Sequence, residues 1–149
     1  MLARPEMHSR PVALAVNLEL SQGRHGASAR IELHDRPEGR IALVQLRGWI
    51  DGRAVERLAR SLEDLAARGA DQVLLDCAQV RHLDYRLAPG LVRAVERFER
   101  HAGGVVVCGL SHYLRDLFRL SGCESSLRCW PSSAELLSGL HGTPGECAS

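Results

Sequence analysis

The chain has 149 residues, a length that suits one domain with a core of its own, and aromatic residues supply only 4% of it, so that core is aliphatic. A net charge of +1 and a pI near 7.7 lack the basic excess of a nucleic-acid binder. No run is long and apolar enough for a membrane span, so the chain is expected to be cytoplasmic.

All 19 strongly basic residues are arginine, a side chain favoured at protein interfaces. The cysteines, Cys77, Cys108, Cys123, Cys129 and Cys147, are odd in number and form no C-x-x-C. A reduced compartment fits them. The histidines are scattered and no zinc-ligand spacing is present, so neither a metal nor a cofactor is expected.

Residues 1–30 read as an N-terminal extension. Within it Val12, Leu14, Val16, Leu18 and Leu20 alternate as an edge strand would, and residues 21–28 read as linker. Residues 31–33 and 41–46 form two strands of a hairpin around Asp35-Arg36-Pro37-Glu38-Gly39. Asp51 is placed to cap a helix over residues 53–68. Val55, Leu58, Ala59, Leu62, Leu65 and Ala66 share one face of it, and Gly69 stops it.

Residues 73–76 are a short, wholly apolar strand up to Asp76, the pattern of a strand covered on both faces. A loop to Asp84 is expected next. A second helix then buries Leu87, Leu91, Val95, Phe98 and Ala102, and residues 105–108 form another apolar strand, parallel and adjacent to the first. Ser111 caps a third helix with Leu114, Leu117 and Phe118 inside. Residues near 127–130 form a last edge strand, and Ser132-Ser133-Ala134-Glu135 is a capping box for a short fourth helix. The expected fold is a single α/β domain over residues 31–141, with a mostly parallel central sheet, an N-terminal antiparallel hairpin, about four helices and a loose tail at 142–149.

The loop after the 73–76 strand carries the candidate site, because ligands and partners dock at the carboxyl ends of strands in open α/β sheets. Asp84 is either a docking acid or a helix cap, and Asp76 is read as tying down the loop through backbone N–H groups. Tyr85 is either an interface anchor or a cover for the sheet end. At 100° per residue Arg86, Arg93, Arg97 and Arg100 fall within roughly 60° of one another. They form either a solvated face or a docking stripe for an acidic partner surface, with Glu96 and Glu99 on the other side. Pro89 makes the first turn irregular, or moves the helix start so that Ala88 caps it. No nucleophile–base spacing, P-loop or dinucleotide fingerprint is present, and no enzyme activity is expected.

Three features taken together resemble the STAS domain family, shared by sulphate transporters and bacterial anti-sigma factor antagonists. They are the order of elements, Leu46-x-Gly48-x-x-Asp51 before the first helix, and Val73-x-x-Asp76 with Leu83-Asp84 before the second. The resemblance covers about residues 31–140. It implies a small α/β domain without chemistry of its own that binds a serine kinase which also holds a sigma factor. In the family a D-S-S-G or D-T-S-G motif receives phosphate. Here Asp84 matches the acid, while Tyr85, Arg86 and Leu87 replace the hydroxyls and the glycine. The resemblance therefore implies a non-enzymatic regulator acting through an anti-sigma or kinase-like switch protein, or within a STAS assembly, without the phosphoserine switch. An accessory subunit of an ABC-type lipid transporter, with the ATPase as partner, is the alternative. A nucleotide- or small-ligand-sensing domain is the weaker one.

Overall fold

The computed structural model describes residues 12–123 and 128–130. In chain order these form β1 (Val12–Ser21), β2 (Ala27–Arg36), β3 (Gly39–Ile50), α1 (Gly52–Ala67), β4 (Ala70–Leu83), a 3-10 turn (Tyr85–Leu87), α2 (Ala88–His101), β5 (Gly104–Cys108), α3 (His112–Leu120) and β6 (Arg128–Trp130). The expected fourth helix, over residues 132–140, lies outside the described residues.

The six strands stand in the sheet in chain order. β1, β2 and β3 pair antiparallel, and β3 to β6 pair parallel. Successive crossovers therefore step in one direction across the sheet. Right-handed crossovers that all step the same way lay their helices on one face. The packing agrees. Leu58 and Leu62 of α1, Val95 and Phe98 of α2, and Leu114 and Phe118 of α3 share one core with Ala42, Val44, Val73, Leu75, Val105 and Val107 of the strands. Alternate residues of those strands, Ile41, Leu43, Leu74 and Val106, form a second, smaller buried cluster on the other face. The all-apolar runs in β4 and β5 are explained by this burial on both sides. Their register, from Gln72 opposite Gly104 to Asp76 opposite Cys108, places them side by side in the interior.

The caps follow from local chemistry. Asp51 Oδ1 accepts from the Ala54 backbone N–H at 2.8 Å and starts α1, and Ser111 Oγ accepts from the Leu114 N–H at 3.2 Å and starts α3. Both meet backbone donors that a helix start leaves without intrahelical partners.

The chain departs from the sequence reading in β4. The strand does not stop at Asp76 but continues to Leu83 beside β3. Between Asp76 and Gln79 it carries one residue more than β3 does opposite, a bulge. The Asp76 carboxylate accepts from the Ala78 N–H at 2.9 Å and holds the bulge in shape. Beyond it β4 has left β5 and its exposed residues are polar, Gln79 and Arg81 among them. No apolar run marks this half. At the other end the strands begin earlier than expected, because residues 27–30 of the supposed N-terminal extension already pair with β3.

Candidate functional site

Leu83, buried at the end of β4, delivers the chain to Asp84, which is extended and caps the 3-10 turn. One Asp84 oxygen accepts from the Arg86 backbone N–H at 2.9 Å. Its carboxylate also takes the Arg86 guanidinium, with Nη2 at 2.6 Å. The bonds from Arg86, side chain first and backbone second, hold the Asp84 carboxyl down to about 2, and in return the carboxylate raises the guanidinium pKa. The Leu87 N–H donates to the Asp84 carbonyl at 2.8 Å, which closes the turn. α2 follows from Ala88, with Pro89 in its first turn, where a missing N–H costs nothing. The result is a short, internally bonded platform that holds Tyr85 outward, 62% exposed, and the Arg86 side chain outward, 76% exposed. Asp84 is thus the cap of the turn and the partner of Arg86 at once.

The turn also changes the arginine stripe. Arg86 falls in the 3-10 turn ahead of α2, where its guanidinium folds back onto Asp84. Arg93, Arg97 and Arg100 do line one groove together, between α1 and α2, about 990 Å³ in volume and floored by Ala59, Leu62, Ala94 and Phe98. Arg97 bonds Glu63 of α1 across it at 2.8 Å. Arg93 and Arg100 have no ion pair among the described residues. Arg86 lies instead in a separate depression of about 510 Å³ with Trp49, His82, Asp51 and Asp84. Glu96, expected on the far side, lines the arginine groove as well. Glu99 turns to the sheet, where it accepts from the Val105 N–H at 3.4 Å.

Beside Arg86 stands a row of rings that the sequence reading did not find. His25, Trp49, His82 and Tyr113 follow one another with centroid separations of 4.1, 4.6 and 6.1 Å. The row is built from three parts. Gly48, at φ +95°, turns the end of β3, and a Cβ there would meet the Gly26 carbonyl oxygen at 2.2 Å. That close approach lets the Trp49 N–H bond the same carbonyl at 3.2 Å and sets the indole against His25. The β3–β4 register then places Trp49 opposite His82. The Tyr113 hydroxyl stands 3.0 Å from the Leu83 carbonyl, to which it can donate, and 3.1 Å from His82 Nδ1. A sequence signal was available. The two phenylalanines lie at helical core positions, whereas Trp49 stands at the end of β3, Tyr85 follows β4 and Tyr113 opens α3 after β5.

The site has little means for covalent chemistry. Burial first, then the neighbouring Cys108 and Asp76, pushes the Cys77 thiol well above its ordinary range, and burial and Asp76 push Cys108 up to about 12. Both therefore stay protonated and unreactive near neutral pH. Among the described residues no three His, Cys, Asp or Glu side chains gather as metal ligands, and no helix is long and apolar enough to cross a membrane. What the surface offers is exposed aromatic rings, a fixed arginine, and two guanidiniums without an ion pair among the described residues along a neighbouring groove. Those are the materials of a protein interface.

Comparison with protein families matches the STAS domain over residues 33–136. No curated protein matches the sequence. Among solved structures, the anti-sigma factor antagonist SpoIIAA in its unphosphorylated form is similar, with TM-score 0.59 and 20% identity over 77% of this chain and 99% of that one. An anti-sigma factor antagonist from Mycobacterium paratuberculosis has TM-score 0.62 and 16% identity over 81% and 99%. The murine solute carrier 26 family member A9 anion transporter has TM-score 0.59 and 11% identity, and there 87% of this chain matches 23% of that one.

Proposed function

The chain belongs to the STAS domain family, and from that premise we propose that it is a non-enzymatic cytoplasmic regulator that binds a protein partner at the carboxyl ends of its strands, in the manner of an anti-sigma factor antagonist. One observation carries the reading. Trp49, Tyr85 and Tyr113 are all exposed, and all stand at that one end, around the Asp84–Arg86 platform. Large aromatic side chains left in water at a single place are a feature of interface hot spots. In this reading Asp84, Tyr85 and Arg86 form the head of the surface. Arg93, Arg97 and Arg100 extend it along α2 toward an acidic region of the partner.

Residues 84–91 contain no serine or threonine, so the proposed binding is constitutive and not ended by phosphoserine formation. The partner is taken to be an anti-sigma or kinase-like switch protein. The test is calorimetric titration with the anti-sigma factor kinases of the source organism, one by one, using wild type, Arg86→Ser and an Arg93→Ala/Arg97→Ala double variant. A cognate kinase is expected to bind wild type and to bind both variants at least about tenfold more weakly. Incubation with the kinase and ATP should leave residues 84–91 without phosphate by mass spectrometry. Equal affinity for all three proteins would place the interface elsewhere, and no binding by any such kinase would end this reading.

The likeness to a segment of an anion transporter supports a second reading, a soluble accessory unit of a membrane transporter such as an ABC-type lipid system. Binding to a transporter ATPase in the same titration, with none to a kinase, would favour it.

A further inference from the structure

We propose that the free edge of β1 pairs with β1 of a second copy of this chain, antiparallel about a twofold axis at Val16, so that two six-stranded sheets become one. β1 contributes no residue to the proposed partner surface, and the inference stands apart from that reading.

Among the described residues β1 is the outermost strand and is paired on one side only, with β2. Its other side presents backbone N–H and carbonyl groups that can form a further ladder. Protected edges usually carry charges, a proline, a bulge or a covering side chain. Among the described residues β1 has such features only at its ends. Irregularities lie between Val12 and Leu14 and between Glu19 and Ser21, and the Arg57 guanidinium of α1 covers the Glu19 carbonyl at 3.2 Å. Between them residues 14–18 (Leu14, Ala15, Val16, Asn17, Leu18) hold no charge and no proline and keep regular pairing with β2.

The stretch is also complementary to itself. With Val16 opposite Val16, Leu14 falls opposite Leu18 and Ala15 opposite Asn17, and every pair shares a sheet face. On the helix-covered face Leu14 and Leu18 pack against the main core but are only half buried, and Val16 is 41% exposed. The row of a second copy would continue that apolar layer across the joint. A slip of one residue would set this row against the polar face. A shift of two residues, to Asn17 opposite Asn17, would bury the amide pair at the axis and place Glu19 against Ala15. In the Val16 register Glu19, the one charge of the strand, meets position 13 and not its own copy. This absence of like-charge opposition selects a second copy over a strand of unrelated sequence.

Sedimentation equilibrium of the full chain over a dilution series tests the pairing. Wild type is expected to be dimeric by about 100 μM. Val16→Arg puts two guanidiniums together at the axis and should raise the dimer Kd at least tenfold, while Leu120→Ser, on exposed α3, should leave it unchanged. Directly opposed residues in an antiparallel pair lie about 4.5–5.5 Å apart at Cα, within disulfide reach. Val16→Cys should therefore form a covalent dimer on mild oxidation, and Leu120→Cys and wild type should not. A monomeric wild type at that concentration would overturn the proposal, as would a dimer unaffected by Val16→Arg. If Val16→Arg does not fold, absence of the covalent dimer in Val16→Cys serves as the refuting result.

Discussion

Asp84 and Arg86 form an exposed ion pair, a class of contact that adds little to stability in most settings. Here its geometric consequence is larger than its energetic one, because the same carboxylate also takes the Arg86 backbone N–H and so fixes the shape of the turn. The carboxyl sits at about 2, below its ordinary 3.8. A depressed carboxylate stabilises the fold above its unfolded pKa and loses that contribution as pH falls through the folded value. Wild type should therefore melt above Asp84→Asn at pH 5 to 7, and the gap should close between about pH 4 and pH 2. Parallel melting curves across that range measure it. A gap that does not change with pH would mean that ionisation of the Asp84 carboxyl is not what holds the turn.

Among the elements, α1 depends most visibly on one local interaction, the Asp51 cap. Asp51→Ala removes the acceptor for the Ala54 N–H and is expected to cost about 0.5–2 kcal/mol in denaturant unfolding, while Asp51→Asn should recover most of it. Because Asp51 also borders the Arg86 depression, the asparagine variant separates loss of the cap from loss of a surface charge. β4 shows a different dependence. Its inner half is held by apolar burial between β3 and β5. Its outer half is held by the ladder with β3 and by the bulge at Asp76, so an element can be half explained by composition and half by its neighbour.

For the molecule as a whole, the centre of the sheet, in β3, β4 and β5, is buried on both faces. The small cluster of Ile41, Leu43, Leu74 and Val106 contributes alongside the main core. Leu74 is fully buried, and Leu74→Ala is expected to lower unfolding stability by about 2–5 kcal/mol, the usual range for such a truncation. Trp49→Ala is the contrasting case. The indole is 38% exposed, and among the described residues its ring neighbours are the exposed His25, stacked on it, and the half-buried His82, tilted against it, so melting should change far less than in Leu74→Ala. Binding of a cognate partner should weaken by more than about 1 kcal/mol if the ring row is a hot spot. Calorimetry and melting curves on the two variants give both comparisons.

The sequence by itself determined the α/β class, the order of the elements, the faces of α1, α2 and α3, and the caps at Asp51 and Ser111. These are consequences of apolar spacing and of hydrogen bonds between residues close in the chain, so neighbouring residues suffice to read them. It also placed Asp84, Tyr85 and Arg86 in the connection that leads into α2. Tertiary structure decided the rest of the site. Arg86 left the arginine stripe because its guanidinium is bound to Asp84 in the 3-10 turn ahead of α2. Glu96 joined the groove because α1 supplies its other wall. Trp49 met His82 through the register of two strands, and His25 through a turn that Gly48 allows to approach. No local pattern encodes those distances, because each depends on how segments far apart in the chain align once the sheet has formed.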